Sequence, residues 1–195
     1  MFLVFGLGNP GEKYAGTRHN VGRITVELLA EQTGESFGQE ARFGAYTATI
    51  RMGAEKVMLG YSAGYMNDSG RPLGALARYY RLDPSSDLLV IHDDLDLPEH
   101  TLRLARNRSE AGHNGLKSIT QHLGTRDYAR LRIGIGRPPG YGDKRQEVVS
   151  WVLGRARDNL EWDVTYSLAA DAVTDCVENG FLAAQGHLHS AQKRG

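Results

Sequence analysis

One histidine in this chain sits where acid-base chemistry is plausible: His19, in Arg18-His19-Asn20, inside a loop. A carboxylate cluster, His92-Asp93-Asp94-Leu95-Asp96, closes a short apolar run elsewhere. A histidine held by an aspartate keeps one tautomer and gains basicity near neutral pH, which suits it to take a proton from water or a hydroxyl. Three asparagines, Asn9, Asn67 and Asn114, lie beside glycine or at expected helix starts. Their amides donate hydrogen bonds without titrating, so they can stabilise an oxyanion or orient a carbonyl. No activated nucleophile accompanies them: Gly-x-Ser-x-Gly is absent, Cys176 falls mid-helix as a packed thiol, and Ser62 and Ser69 read as strand-end and cap residues. The set points to water activated for hydrolysis of an ester or amide. The spacing of Asp93, Asp94 and Asp96 leaves Mg²⁺ binding at that acidic tip as an alternative.

Gly6-Leu7-Gly8-Asn9-Pro10-Gly11 satisfies G-x-G-x-x-G after the apolar run Phe2 to Phe5. A dinucleotide site requires the helix to begin at those glycines, with an acid about 20 residues on at the end of a second strand. Here Glu12 to Asn20 intervene without apolar periodicity, and Glu27 and Glu31 fall within the next helix. The stretch therefore reads as a strand-to-loop turn that delivers Asn9, Tyr14 and His19, with glycine allowing backbone to approach a substrate closely.

The elements that must position these groups follow from periodicity. Residues 2–5 form a buried strand, and 21–34 a helix with a glycine C-cap. Residues 44–52 and 56–61 form strands joined at Gly53-Ala54, 67–82 a helix, and 88–92 a short apolar strand running into the acidic tip. Residues 101–106 and 129–136 alternate as strands, with a helix over 113–124 between them. Residues 138–143 form a loop and 146–153 a short helix. A long helix spans 158–184 with Leu160, Val164, Leu168 and Ala172 on one face. Residues 185–195 are expected to form a flexible, frayed tail. Strands alternating with helices give an α/β fold, a single-domain three-layer sandwich over 1–184 whose mixed, twisted sheet is flanked by helices.

Composition narrows the class. A chain of 195 residues, 41% hydrophobic and 24% charged, fits an ordinary globular domain, and its 24 glycines exceed the usual ~7%. A single cysteine rules out an internal disulfide and favours a reducing compartment. The start MFLVFGLG lacks a basic leader and a long apolar run, so neither a signal peptide nor a membrane span is expected, and a cytoplasmic location is. The formal net charge of zero hides a division. Asp83, Asp87, Asp93, Asp94, Asp96 and Glu99 have no Lys or Arg between them. By contrast, Arg103, Arg106, Arg108 and Lys117, then Arg126, Arg130, Arg132, Arg137, Lys144 and Arg145, meet few acids. Half of the surface should be basic.

Taken together, GLGNPGEKYAGTRHNVG, Tyr65-Met66-Asn67 with Ser69-Gly70, HDDLDLP at 92–98, Gly112-His113-Asn114-Gly115-Leu116-Lys117 and RLRIGIGRP at 130–138 resemble bacterial peptidyl-tRNA hydrolase over most of the chain. The resemblance implies a cytoplasmic monomer without cofactor or metal, cleaving the ester between an N-blocked peptidyl group and the 3′ ribose of tRNA. It makes His19 the general base toward water, with Asp93 holding it. Asn9 then distinguishes N-blocked from free aminoacyl groups, while Asn67 and Asn114 bind peptide backbone or water. Tyr14, Tyr65 and Met66 line the path, with Asn20 and Gly112 in the binding set, and Asp94 and Asp96 become structural or solvated. Arg132 and Arg106 are the expected phosphate contacts, in line with the platforms and cations that a single-stranded RNA end requires. The sequence departs from the family at Ser62-Ala63-Gly64, where Pro-x-Thr is common. It departs again at Ala105-Arg106-Asn107-Arg108, where a Lys-Lys-Gly-Gly run is common, and at Ala111, where glycine is. A second reading, an RNA-binding protein that keeps the fold without efficient catalysis, rests on those departures.

Overall fold

The computed structural model describes residues 1–140, 145–156 and 160–192. Lys144, Asp158 and part of the expected loop over 138–143 lie outside them. Strands β1 (Phe2–Gly6), β2 (Gly38–Glu40), β3 (Ala45–Met52), β4 (Glu55–Ser62), β5 (Leu88–Asp94), β6 (Leu102–Arg106) and β7 (Ala129–Gly134) form one sheet in the order β2-β3-β4-β1-β5-β7-β6. β1 runs parallel to both β4 and β5, and β5 parallel to β7. The pairs β2–β3, β3–β4 and β6–β7 are antiparallel, so the sheet is mixed as expected.

Burial on both faces explains the continuous apolar runs of β1 and β5. Successive side chains alternate faces. Val4, Leu89 and Ile91 join the core under α1 (Val21–Gln32) and α6 (Leu160–Asn179). Leu3, Phe5, Leu88 and Val90 join the core under α2 (Gly70–Tyr79) and α4 (Asn114–Leu123). The remaining helices are α3 (Pro84–Asp87), α5 (Arg145–Val152) and α7 (Phe181–Gln192). α1 connects toward one neighbour of β1 and α2 toward the other, so β1 marks a switch point, where the carboxyl ends of strands favour ligands. Among the described residues no helix is long and apolar enough to cross a membrane.

Three expectations are corrected. The helix expected over 67–82 begins later, because residues Met66–Asp68 form a separate 3-10 turn and the Ser69 hydroxyl donates to Met66 O rather than capping. The expected long C-terminal helix is two, because Gly180 adopts φ 83° and ends α6. Residues 185–192, expected to fray, lie in α7 and close the free edge of β6. Gln185 Nε2 donates to Leu104 O at 2.8 Å, Leu104 N donates to His189 Nε2 at 3.1 Å, and Leu102 N donates to Gln192 Oε1 at 2.9 Å. An unpaired strand edge invites another strand, and these side chains occupy its groups instead. Of the four residues read on one face of the long helix, Leu160, Val164 and Leu168 face outward and Ala172 is buried, and α6 turns Trp162, Thr165, Ala169, Val173 and Cys176 inward.

Candidate active site

His19 lies in a 3-10 turn, Arg18–Asn20, that runs straight into α1. The turn is braced from α5: the Arg18 guanidinium stacks 3.8 Å from the Trp151 ring centroid and Arg18 N donates to Gly154 O at 3.0 Å. Below it, α1 approaches β1 so closely that a Cβ on Gly6 would overlap the Gly22 carbonyl, and one on Gly22 would overlap that of Ile91. Gly6, the first glycine of G-x-G-x-x-G, therefore serves helix-on-strand packing, while Gly11 adopts φ 90° with open space around it. Asn20, expected to bind substrate, is wholly buried; its Oδ1 accepts from Asn9 N and its Nδ2 donates to Asn9 O, both at 2.9 Å. It shapes the Asn9 loop instead.

Asp93 is the penultimate residue of β5, with only 3% of its surface exposed. Its Oδ2 lies 2.8 Å from His19 Nδ1, as expected, and its Oδ1 lies 2.8 Å from His113 Nε2, which the sequence reading did not assign. His113 is the N-cap of α4, and its Nδ1 accepts from Gly115 N at 3.1 Å and from Leu116 N at 3.4 Å. Its proton therefore sits on Nε2 and points at Asp93. The carboxylate accepts from two imidazoles and leaves the Nε2 lone pair of His19 uncommitted. Burial opposes a charge on His19, but the charge of Asp93 and its hydrogen bond outweigh that and raise the pKa above 6.5. Burial likewise opposes the charge on Asp93, yet the two histidines hold its carboxyl well below the usual range. His92 Nδ1 donates to the backbone O of Asp93 at 2.7 Å. Burial, reinforced by nearby His113, pushes the His92 pKa down to about 3, so it is a neutral brace.

The acidic tip does not form a magnesium cage. Asp94 Oδ2 accepts from Arg132 Nε at 2.8 Å and Asp96 Oδ1 from Arg137 at 2.6 Å, while Asp93 turns to the histidines. Among the described residues the group that could converge on a metal is His19, Asp93 and His113, two nitrogens with one carboxylate, which is not the all-oxygen set that Mg²⁺ prefers.

A cleft of about 520 Å³ opens from His19, Asp93 and His113 and is lined by Asn114, Gly112, Arg108, Lys117, Arg130, Arg132, Arg137 and Arg145. Arg130 is 1% exposed and pins the loop above it, donating to Ser109 O at 3.0 Å and Arg108 O at 2.8 Å. That loop bends through positive φ at Ala111 (46°) and Gly112 (82°), which places His113. Arg132, the first of the two expected phosphate contacts, lines the cleft. Arg106 does not: it stands on edge strand β6 with its guanidinium 4.7 Å from the Phe181 ring centroid of α7. Arg108, two residues along the loop, lines the cleft in its place.

The other expected residues gather around Asn9. Asn9 Oδ1 accepts from Met66 N at 2.8 Å, so its NH₂ is the end left free to donate. Tyr14 and the exposed Tyr65 meet edge to face with centroids 6.4 Å apart, and Asn67 is exposed on the same turn. Met66, expected to line the path, is 4% exposed and packs in the core under α4, so its contribution is the backbone N–H.

A protein-family model described as Peptidyl-tRNA hydrolase matches residues 3–195. The chain belongs to the peptidyl-tRNA hydrolase family. It is 46% identical over 189 residues to a peptidyl-tRNA hydrolase of Nocardia farcinica, covering 96% of this chain and 95% of that protein. It is 44% identical over 198 residues to one of Kineococcus radiotolerans, covering 97% of each. The fold superposes on a crystal structure of peptidyl-tRNA hydrolase in complex with N-propanol with TM-score 0.87 at 34% identity, covering 96% of this chain and 94% of that one. The peptidyl-tRNA hydrolase of Acinetobacter baumannii gives TM-score 0.78 at 34% identity, with 98% and 92% covered. Membership of the peptidyl-tRNA hydrolase family makes this chain an enzyme, an ester hydrolase, with the α/β architecture expected.

Proposed function

We propose that this hydrolase cleaves the ester between an N-blocked peptidyl group and the 3′ ribose of tRNA, using water that His19 activates. The observation that carries the reading is the double hydrogen bond on Asp93, which leaves His19 Nε2 as a free base beside the cleft. His19 Nε2 takes a proton from water as the oxygen attacks the ester carbonyl carbon. The carbonyl oxygen becomes an oxyanion, for which Asn9 Nδ2 and the exposed amide of Asn114 are available donors. Collapse breaks the bond to the ribose oxygen, which takes the proton back from the imidazolium, giving free peptide acid and tRNA. Raised basicity at His19 fits both halves, since the group must accept a proton and then return it.

Arg108, Lys117, Arg132 and Arg145 lining the cleft support contact with acceptor phosphates, with Arg132 oriented by Asp94. Exposed Tyr65 with Tyr14 offers a stacking platform on the Asn9 side. No cofactor enters this chemistry, and we place the enzyme in the cytoplasm as a monomer. His19→Ala should reduce hydrolysis of an N-acetyl-aminoacyl-tRNA by about 10³-fold or more while leaving the fold and tRNA affinity intact. Retained activity in that variant removes His19 from the mechanism. Tight tRNA binding by a wild type that cleaves nothing would instead favour the reading of a binding protein without catalysis.

A further inference from the structure

We infer that the outward face of α6 is a docking surface for a basic, amphipathic helix of a partner protein. Leu160, Val164 and Leu168 recur every four residues and are 76%, 49% and 43% exposed. Side chains four apart on a helix touch, so these three make one continuous apolar stripe about 12 Å long rather than scattered surface aliphatics. The inward face of α6 is already complete without them, filled by Trp162, Ala169, Val173 and Cys176 against the sheet and α1. The stripe thus adds nothing to the core that the helix covers.

Its borders say what would cover it. Glu161, Asp163 and Asp171 are exposed beside it, and Leu160–Asn179 contains no lysine or arginine. Glu161 has only a 3.7 Å approach to His100 as an ion pair, and Asp163 and Asp171 have no ion pair among the described residues. An apolar strip rimmed by uncompensated acids complements a helix that places leucine-like residues on one face and lysines or arginines on its flanks. A second copy of this chain fits worse: a twofold interface brings each surface onto itself, here acids against acids. No residue of α6 lines the catalytic cleft, so the surface and the hydrolase reaction can be tested separately.

The probe is a leucine–lysine peptide of roughly 18 residues with leucines at i, i+3, i+4 and i+7, and a control of equal composition with the leucines scrambled. Binding to the isotope-labelled full chain is read from amide chemical-shift changes and fluorescence anisotropy. The patterned peptide should perturb amides over 160–171 and bind more tightly than the scrambled one. Val164→Lys/Leu168→Lys should weaken it by at least about tenfold while hydrolysis of N-acetyl-aminoacyl-tRNA is unchanged. Shifts that map to the acidic tip around Asp94–Asp96, equal binding of the scrambled peptide, or no loss in the double variant would each overturn the proposal. So would a wild type that dimerises in light scattering and becomes monomeric in that double variant.

Discussion

Asp93→Asn tests the site most sharply, because an amide offers one acceptor and one donor where the carboxylate offers two acceptors. His113 cannot adapt to the change. Its Nδ1 is committed to Gly115 N–H and Leu116 N–H, so its proton stays on Nε2 and demands the remaining oxygen of residue 93. The NH₂ is thereby turned toward His19 Nδ1, 2.8 Å away in the wild type, and His19 must accept there. Its proton then moves to Nε2, the atom that has to take a proton from water. A catalytic histidine left in the wrong tautomer costs about 10⁴ in kcat in other hydrolases, or about 5.4 kcal/mol at 1.36 kcal/mol per tenfold. The assay is single-turnover hydrolysis of N-acetyl-aminoacyl-tRNA with enzyme in excess, where kcat should fall by about 10³ to 10⁴ with KM little changed.

The decisive measurement is the double variant Asp93→Asn/His113→Ala. Without the pinned imidazole, the amide is free to turn its oxygen to His19 Nδ1–H and its NH₂ to solvent, restoring the useful tautomer. The double variant should therefore exceed Asp93→Asn by about tenfold or more, although His113→Ala alone slows the wild type. The pH profile supplies a second check. Activity needs neutral His19, so in the wild type it falls as pH drops through the raised pKa of that group. In the double variant the negative charge is gone and the acid limb moves to lower pH. A folded double variant no faster than Asp93→Asn refutes the tautomer argument.

Strand ends in an open α/β sheet converge on one edge, which made the acidic tip legible as a place for chemistry, and the resemblance of the motifs made its Asp93 legible as the partner of His19. His113 was not, because a histidine before Asn-Gly reads first as a helix start. It is a helix start, and its cap nitrogen and its Asp93 nitrogen are two ends of one ring. Arg106 was misplaced for a different reason. Alternation over 102–106 assigns side chains to faces, yet it cannot say that β6 lies at the sheet edge beneath α7 rather than beside the cleft. Hydrophobic patterning also falls short on α6 and α7. α6 has apolar residues at helical spacing on both faces, so periodicity alone cannot choose between Leu160/Val164/Leu168 and Trp162/Ala169/Val173. Polar α7 looked like a tail because its packing currency is hydrogen bonding to a strand edge, which hydrophobic patterning does not register.

The placement of the arginines makes a paired prediction: Arg106→Gln should leave KM for N-acetyl-aminoacyl-tRNA unchanged. Arg108→Gln should raise KM several-fold and reduce the slope of log KM against log salt by about one; equal effects would place both or neither at the phosphates. Glu110 supports the loop at the cleft wall, where it is only 9% exposed, bonds Arg126 through both oxygens and accepts from the Thr120 hydroxyl. The Arg126 hydrogen bonds, working against burial and joined by Thr120, lower its pKa from 4.5 to about 2. A carboxyl depressed in the folded state contributes stability that is fully present above pH 4.5 and disappears as pH falls toward 2. Glu110→Gln should therefore lower the urea midpoint at pH 7, and the gap from wild type should close between those two pH values. A gap that stays constant across the range would show that Glu110 acts through its shape in the loop rather than through its charge.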